Sequence, residues 1–107
     1  MVTFATDAKT LLKSCNPQEH FNTDIQTFHK TGCVFFIRGT IDAHNTFVAV
    51  RNVDPIFCPS AKLTFDSIEH IFIRWADNNQ EKLDWTAADA VYAALADTFP
   101  CYQEKKK

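Results

Sequence analysis

The sequence predicts an all-α fold, a small bundle of four to five helices in which two disulfides join neighbouring helices. Apolar residues recur at three- and four-residue intervals in four segments, as in helices that bury one face. The 107 residues include only two Gly and four Pro, too few for the many turns of a small all-β sandwich. The cysteine count of four is even, as expected for a small domain held by disulfides. With 46% hydrophobic residues, the chain is predicted to form a single domain, 1–107, with flexible ends at 1–6 and 102–107.

The first predicted helix is short and extends from about Asp7 to Cys15. Either Thr6 or Asp7 can accept hydrogen bonds from the free N–H groups of its first turn. Asn16 precedes Pro17 and is therefore disfavoured in the α conformation, which ends the helix. Its apolar stripe consists of Ala8, Leu11, Leu12 and Cys15.

The second region, from about position 17 to position 52, predicts a long central helix. Thr31 and Gly32 predict a break, after which apolar positions continue on a surface wider than one stripe. Such a surface indicates contacts from several sides. Gly39 lies inside this helix at a cost of about 1 kcal/mol relative to Ala. We expect a close helix crossing, or else a kink, to account for it.

The third and fourth helices have clearer ends. Thr64 is a good N-cap for the third helix, which ends at the turn residues Asp77–Asn79. Thr86 begins the fourth, with Asp89 three residues later in a capping-box-like position, and Pro100 ends it. The apolar faces are Phe65, Ile68, Ile71, Phe72 and Trp75 in the third helix, and Ala88, Val91, Tyr92, Leu95 and Phe99 in the fourth.

Composition and motifs argue against several functions. A net charge of −2 provides no basic surface for nucleic acid. The sequence contains no P-loop, dinucleotide-binding, nucleophile-elbow or EF-hand motif. Asp42 and His44 diverge on a helix and form no catalytic pair, and we expect His44 and His70 to be satisfied core or surface histidines rather than catalysts. We therefore predict no cofactor, no metal site and no membrane span.

The four cysteines allow two interpretations. Four free thiols are compatible with a cytosolic protein, because free Cys packs as a small hydrophobe. Two disulfides fit better, since small exported domains use them to supplement a limited core, but three connectivities are open. The N-terminal residues lack the basic region and apolar run of a signal peptide, so either the protein is cytosolic or an export signal has been removed.

Four segments follow one another in an order that matches a known pattern. The opening helix carries Leu11-Leu12 and Cys15. Residues 33–43 show a Cys, aromatic, Gly, Asp-Ala signature, and Phe57-Cys58-Pro59 leads into a helix N-cap. Residues 93–101 form an alanine-rich helix that closes on Phe-Pro-Cys. The motif residues within and between these segments are Phe36, Gly39, Asp42, Thr64, Phe99 and Pro100.

Together these segments resemble the Rap/Tai group of type VI secretion immunity proteins, from about Asp7 to Cys101. The resemblance implies a small helical periplasmic protein that is not an enzyme, acts as a homodimer and has had its export signal removed. Its partner would be a peptidoglycan amidase effector, whose active-site cleft a loop of the immunity protein occludes. A periplasmic helical chaperone or small-ligand-binding module, with a groove lined by Phe, is one alternative. A cytosolic helical regulator or small enzyme with four free thiols is the other.

In that setting we favour the disulfides Cys15–Cys33 and Cys58–Cys101. The loop expected to enter the amidase cleft is the polar stretch 77–85, with an ordinary solvated connection as the alternative. Trp85 is either an interface anchor or packs on the fourth helix. The predicted partner-binding residues are Asp77, Asn78, Asn79, Gln80, Glu81, Lys82, Asp84 and Trp85.

Overall fold

The computed structural model describes residues 6–17, 22–59 and 62–101, and four α-helices account for most of them. Within these ranges the only strand-like pairing is an isolated bridge between Asp7 and Thr86. The all-α prediction is confirmed. The end segments predicted to be flexible lie outside the described residues, apart from Thr6. In chain order, the elements are α1 (Ala8–Cys15), α2 (Thr23–Arg51), α3 (Phe65–Asn78), a 3₁₀ turn (Gln80–Lys82) and α4 (Ala87–Thr98).

Each helix begins at a side chain that accepts a hydrogen bond from its first turn. At α1 the structure selects Asp7 over Thr6, because the Asp7 carboxylate accepts from the Thr10 N–H at 2.8 Å. At α3, Thr64 Oγ1 accepts from the Ser67 N–H at 3.1 Å, and Ser67 Oγ accepts from the Thr64 N–H at 2.9 Å. This reciprocal pair satisfies two N–H groups that helix geometry leaves unpaired. The four caps are Asp7, Asn22, Thr64 and Thr86.

The core lies where all four helices meet, and the two disulfides tie its edges. Cys15 at the end of α1 bonds to Cys33 in α2, with Cα atoms 4.9 Å apart. Cys58, before α3, bonds to Cys101, after α4, with Cα atoms 5.0 Å apart. Both predicted pairings are confirmed. Buried side chains from the four helices and the loop before α3 include Leu11, Ile37, Phe57, Ile68, Phe72, Val91 and Leu95.

The long α2 is one continuous helix of 29 residues, so the predicted break at Thr31–Gly32 is wrong. Cys33, Val34 and Ile37 follow the glycine directly and are buried against the rest of the protein. Their burial offsets the cost of about 1 kcal/mol that a helical Gly carries. The close crossing expected at Gly39 is also wrong, because a Cβ built there meets no heavy atom of a neighbouring element within 4 Å.

One face of α2 is left uncovered by the rest of the described chain. Phe28 is 76% exposed and Phe35 is 61% exposed. A Cβ at Gly32, between them, meets nothing within 4 Å, as at Gly39. The three- and four-residue spacing puts these positions on one side of the helix. We call this side the outer face of α2; it comprises Ile25, Phe28, Gly32, Phe35, Gly39, Ala43, Thr46 and Val50.

His44 is buried and fastens the loop after α2 to the helix. Its Nε2 accepts a hydrogen bond from the Ile56 N–H at 2.9 Å, so the proton of the neutral ring is on Nδ1, 3.0 Å from Asn45 Oδ1. The ring stacks on Phe57 with centroids 3.9 Å apart and meets Tyr92 edge-on at 5.6 Å. His44 is therefore a satisfied core histidine, one of the two roles predicted for it.

The Asp7 cap makes the stability of α1 depend on pH. Hydrogen bonds from Thr10 hold the pKa of the Asp7 carboxyl below its ordinary value of 3.8. Because this pKa is lower in the folded chain than in the unfolded chain, the ionised Asp7 carboxylate stabilises the fold fully at pH values above its ordinary pKa. This stabilisation is lost as the pH falls through the lowered pKa.

We expect Asp7→Ala to lower the melting temperature by a few degrees at neutral pH, and Asp7→Asn to leave it almost unchanged. On acidification the advantage of the wild type over Asp7→Ala shrinks, whereas Asp7→Asn keeps its advantage because an amide does not titrate. Thermal melts followed by circular dichroism across this pH range measure both differences. A pH-independent difference between wild type and Asp7→Ala would contradict the assignment.

Candidate functional site

The residues predicted to contact a partner connect α3 to α4. Asp77 and Asn78 are the last two residues of α3, the 3₁₀ turn follows, and Trp85 directly precedes the N-cap of α4. We call residues 77–85 the α3–α4 connection. At its beginning and end the connection adjoins helices that contribute to the core, so its position is set by the bundle.

Two amide side chains of the connection cap the end of α3. Asn79 Nδ2 donates to the Trp75 carbonyl at 2.8 Å, and Gln80 Nε2 donates to the Ala76 carbonyl at 3.2 Å. Helix geometry leaves the last carbonyls of a helix without N–H partners, so these bonds stabilise the end of α3. Within the connection, the Lys82 N–H donates to the Asn79 carbonyl at 2.8 Å. Asn79 and Gln80 therefore have structural roles.

The C-terminal part of the connection is hydrogen-bonded to the start of α1. The Ala8 N–H donates to the Trp85 carbonyl at 2.8 Å, and the Lys9 N–H donates to the Leu83 carbonyl at 2.9 Å. These are the first two N–H groups of α1, which have no partner within their own helix. The connection thus supplies hydrogen-bond partners to unpaired backbone groups of both α1 and α3. Hydrogen bonds to these two helices hold the connection in place.

Trp85 combines a packing contact with an exposed surface. Its ring lies 6.2 Å from the ring of Trp75 in α3, and the Lys82 ammonium lies 5.2 Å from its centroid. The side chain is still 40% exposed. The ring contact is with α3, and the two roles predicted for Trp85, interface anchor or packing on the fourth helix, remain predictions. The exposed part of the indole remains open to a partner.

The outward side chains of the connection are mainly acidic. Asp77, Glu81 and Asp84 are exposed, and none has an ion-pair partner within the described part of the chain. The nearby cation, Lys82, lies over the indole ring of Trp85. The connection therefore presents three carboxylates beside a half-exposed aromatic ring, a surface suited to a partner with cationic and apolar groups.

Three of the six motif residues make contacts that stabilise the fold. Thr64 caps α3, Phe36 packs against the core, and the Phe99 carbonyl accepts from the Cys58 N–H at 2.8 Å. The last contact supports the Cys58–Cys101 disulfide directly. Gly39, Asp42 and Pro100 are exposed.

A recess that the sequence does not predict lies beside the connection, between the ends of α3 and α4. Its volume is about 290 Å³. Trp75 lines it, and the Trp75 indole Nε1 is buried without a hydrogen-bond acceptor in the described chain. A periodic pattern places Trp75 in the core but says nothing about its N–H. The lining residues are Ile71, Arg74, Trp75, Asn78, Asn79, Asp97 and Thr98.

No set of three or more metal-ligand side chains converges within residues 6–17, 22–59 and 62–101. All four cysteines are in disulfides. Over the same ranges, no helix combines the length and the apolar character needed to cross a membrane.

Comparison with known families identifies the protein family of this chain. The sequence model of the Rap1a immunity proteins matches residues 7–101. The chain belongs to the Rap1a immunity protein family. The match begins at the cap of α1 and ends at Cys101, so it includes the four helices and both disulfides of this Rap1a chain. No curated protein and no solved structure matches the chain.

Family membership indicates that this Rap1a chain has an immunity function, which implies binding to a partner effector. A non-enzymatic inhibitor is consistent with it. The two disulfides are consistent with an extracytoplasmic location, because disulfides persist in oxidising compartments.

Proposed function

We propose that this chain binds a peptidoglycan amidase effector of type VI secretion and occludes the active-site cleft of that enzyme. The observation that carries the proposal is the family match over residues 7–101, since an immunity protein acts by binding its effector. The amidase and the cleft follow from the resemblance of the cysteine-bearing segments to the Rap/Tai group.

The α3–α4 connection is the element that we assign to the cleft. Hydrogen bonds to α1 and α3 hold its backbone, so little conformational freedom remains to be lost on binding. Its exposed groups are the carboxylates of Asp77, Glu81 and Asp84 and part of the Trp85 ring. A rigid element with protruding charges and an aromatic anchor is what an inhibitor of this kind requires.

Replacement of Asn78–Lys82 by Gly and Ser residues tests this assignment. We expect the affinity for the amidase effector encoded beside this chain to fall more than tenfold, because the segment loses Glu81 and its rigid backbone. Isothermal titration calorimetry with the purified effector measures the change. Unchanged affinity would move the interface elsewhere on the protein.

Charge reversal separates the surface of the connection from its structural role. Glu81→Lys and Asp84→Lys alter exposed carboxylates without removing the amide caps of Asn79 and Gln80. Both variants should bind the effector more weakly than the wild type. Asp54→Lys makes the same charge change at an exposed position after α2 and is the matched control. An equal effect at all three positions would indicate a nonspecific charge effect and contradict the assignment.

The periplasm is the compartment that we propose. A peptidoglycan amidase acts on the cell wall, so its inhibitor is needed on the same side of the inner membrane. The two disulfides support an oxidising compartment such as the bacterial periplasm.

We also propose that the chain forms a homodimer through the outer face of α2. Gly32 and Gly39 are helix-interior glycines with no local contact that requires them, and exposed Phe side chains flank them. Glycines permit a close approach between helices, and the phenylalanines then fill the adjoining space. The eight residues of the outer face are uncharged, and the exposed Asp42 lies at its edge. An antiparallel arrangement would place Gly32 of one copy near Gly39 of the other.

A further inference from the structure

A second concave surface lies between α2 and the beginning of α3. It has a volume of about 360 Å³ and opens to solvent. Apolar side chains from the two helices and from the loop between them line it, with two cations and one amide. We call it the α2–α3 groove; its described lining includes Arg38, Ile41, Asn45, Lys62, Leu63 and Phe65.

An aromatic ring with a cation above it stands at the groove. Phe65, the first residue of α3, is 47% exposed. The guanidinium carbon of Arg38 lies 5.5 Å from the centroid of this ring, within the range of a cation–π contact. The Phe35 ring approaches the same Phe65 ring at 6.1 Å. Phe65 therefore supplies an apolar wall and also positions the Arg38 charge.

The two cations of the groove have no carboxylate partner. Neither Arg38 nor Lys62 makes an ion pair within the described residues. The chain as a whole is slightly acidic, with a net charge of −2, whereas the described lining of the groove has two cations and no carboxylate. An arginine that is already held by a ring is well suited to bind a carboxylate, because its planar group can donate two parallel hydrogen bonds.

The groove and the α3–α4 connection lie at opposite ends of α3. This helix has 14 residues and is therefore about 21 Å long. A standard protein interface buries about 800 Å² on each partner, which is broad enough to include both ends. One surface is acidic and the other is basic, so together they select a partner with the complementary arrangement of charges.

We propose that the α2–α3 groove is a second contact surface for the effector. It takes a segment in which an apolar side chain enters between Ile41 and Leu63, and a neighbouring carboxylate binds Arg38 and Lys62. This inference rests on the proposed immunity function, and it names the chemistry of a contact that the family match does not specify.

Charge reversal in the complete protein tests the contact. We expect Arg38→Glu combined with Lys62→Glu to weaken effector binding at least tenfold, and Arg38→Gln combined with Lys62→Gln to weaken it less. Calorimetry at low and high salt should also show a smaller salt dependence for both double variants. Lys13→Glu combined with Arg51→Glu, at exposed positions in α1 and at the end of α2, makes the same change in net charge and is the matched control. Equal affinity of wild type and both groove variants would overturn the proposal, as would an equal loss from the control variant.

A peptide titration tests the groove without the effector. The probes are a short synthetic peptide containing Leu-Asp-Glu and a matched peptide containing Leu-Lys-Lys, added to ¹⁵N-labelled wild-type protein. We expect the acidic peptide alone to shift the amide resonances of Arg38, Ile41 and Phe65. Shifts confined to another surface, or no preference for the acidic peptide, would overturn the proposal.

The two measurements separate the inference from the function on which it rests. If the wild type fails to bind the amidase but binds the acidic peptide in the groove, the proposed amidase partner is wrong and the groove chemistry stands. If the wild type binds the amidase and both double variants bind equally well, only the groove assignment is wrong. A change in the sedimentation of the isolated chain caused by the charge reversals would assign the groove to a second copy, against the proposal.

Discussion

Replacing both Cys58 and Cys101 by serine is expected to lower the free energy of unfolding by about 4 kcal/mol. This disulfide closes a loop of 43 residues, and about 4 kcal/mol is the loop-closure entropy that the chain-entropy model assigns to it. The loss is large for a domain whose total stability is about 5–15 kcal/mol. Cys58 is exposed, so serine leaves no buried hydroxyl at that position. Thermal unfolding should show a melting temperature lower by about 20 °C.

The second disulfide provides the comparison. Cys15–Cys33 closes 18 residues, which corresponds to about 3 kcal/mol of loop entropy. Both of its residues are buried, so Cys15→Ala combined with Cys33→Ala also loses packing. A reductant should destabilise the wild type more than either double variant, because it opens both loops. A loss below about 1 kcal/mol for the Cys58 and Cys101 variant would show that the entropic account fails for this loop.

Replacing both Gly32 and Gly39 by leucine is expected to dissociate the proposed dimer and also to stabilise the isolated chain. Leu favours a helix interior over Gly by close to 1 kcal/mol at each position, and a Cβ meets no neighbour at either one. In a dimer, two leucine side chains would keep the outer faces of α2 apart. We expect the dissociation constant to rise about 100-fold or more, equivalent to about 2.7 kcal/mol of lost association free energy.

Opposite changes in folding stability and association distinguish an interface from a structural role. Sedimentation velocity over a range of concentrations measures association, and thermal unfolding under monomeric conditions measures stability. Thr27→Leu introduces the same side chain at an exposed position of α2 away from the outer face and should leave both quantities nearly unchanged. A wild-type chain that stays monomeric at high concentration would refute the dimer, and a dimer that persists in the double variant would refute this interface.

Local signals in the sequence were sufficient to place the ends of α1, α3 and α4. Thr64 and Thr86 were predicted as caps because their hydroxyls can accept from the first turn, and both do so. Pro17 and Pro100 mark the ends of helices for steric reasons that act within one or two residues. These interactions depend on neighbours in sequence, so they can be predicted without knowledge of the fold.

The continuity of α2 required the tertiary structure. The local preference of Gly32 argues against a helix, and the sequence therefore predicted a break. Burial of Cys33 and Ile37 outweighs that preference, since the contacts come from elements distant in the chain. The same applies to the phenylalanines: Phe72 is buried, whereas Phe28 is mostly exposed, although both fit an apolar stripe. A periodic pattern identifies an apolar face but not the element that covers it.

The same distinction between local signals and contacts of distant segments applies to the candidate site. The sequence by itself placed the polar stretch 77–85 between two helices and identified its charges. Only the tertiary structure revealed that α1 holds this stretch through Leu83 and Trp85, that the Trp85 ring meets Trp75, and that Arg38 lies over Phe65. The same holds for the disulfides. The residues established four cysteines and three open pairings, the family resemblance favoured one of them, and the folded chain confirmed it by bringing the paired Cα atoms within 5.0 Å. Helix limits arise from short-range hydrogen bonds and backbone sterics, whereas pairing and exposure depend on which distant segments pack together.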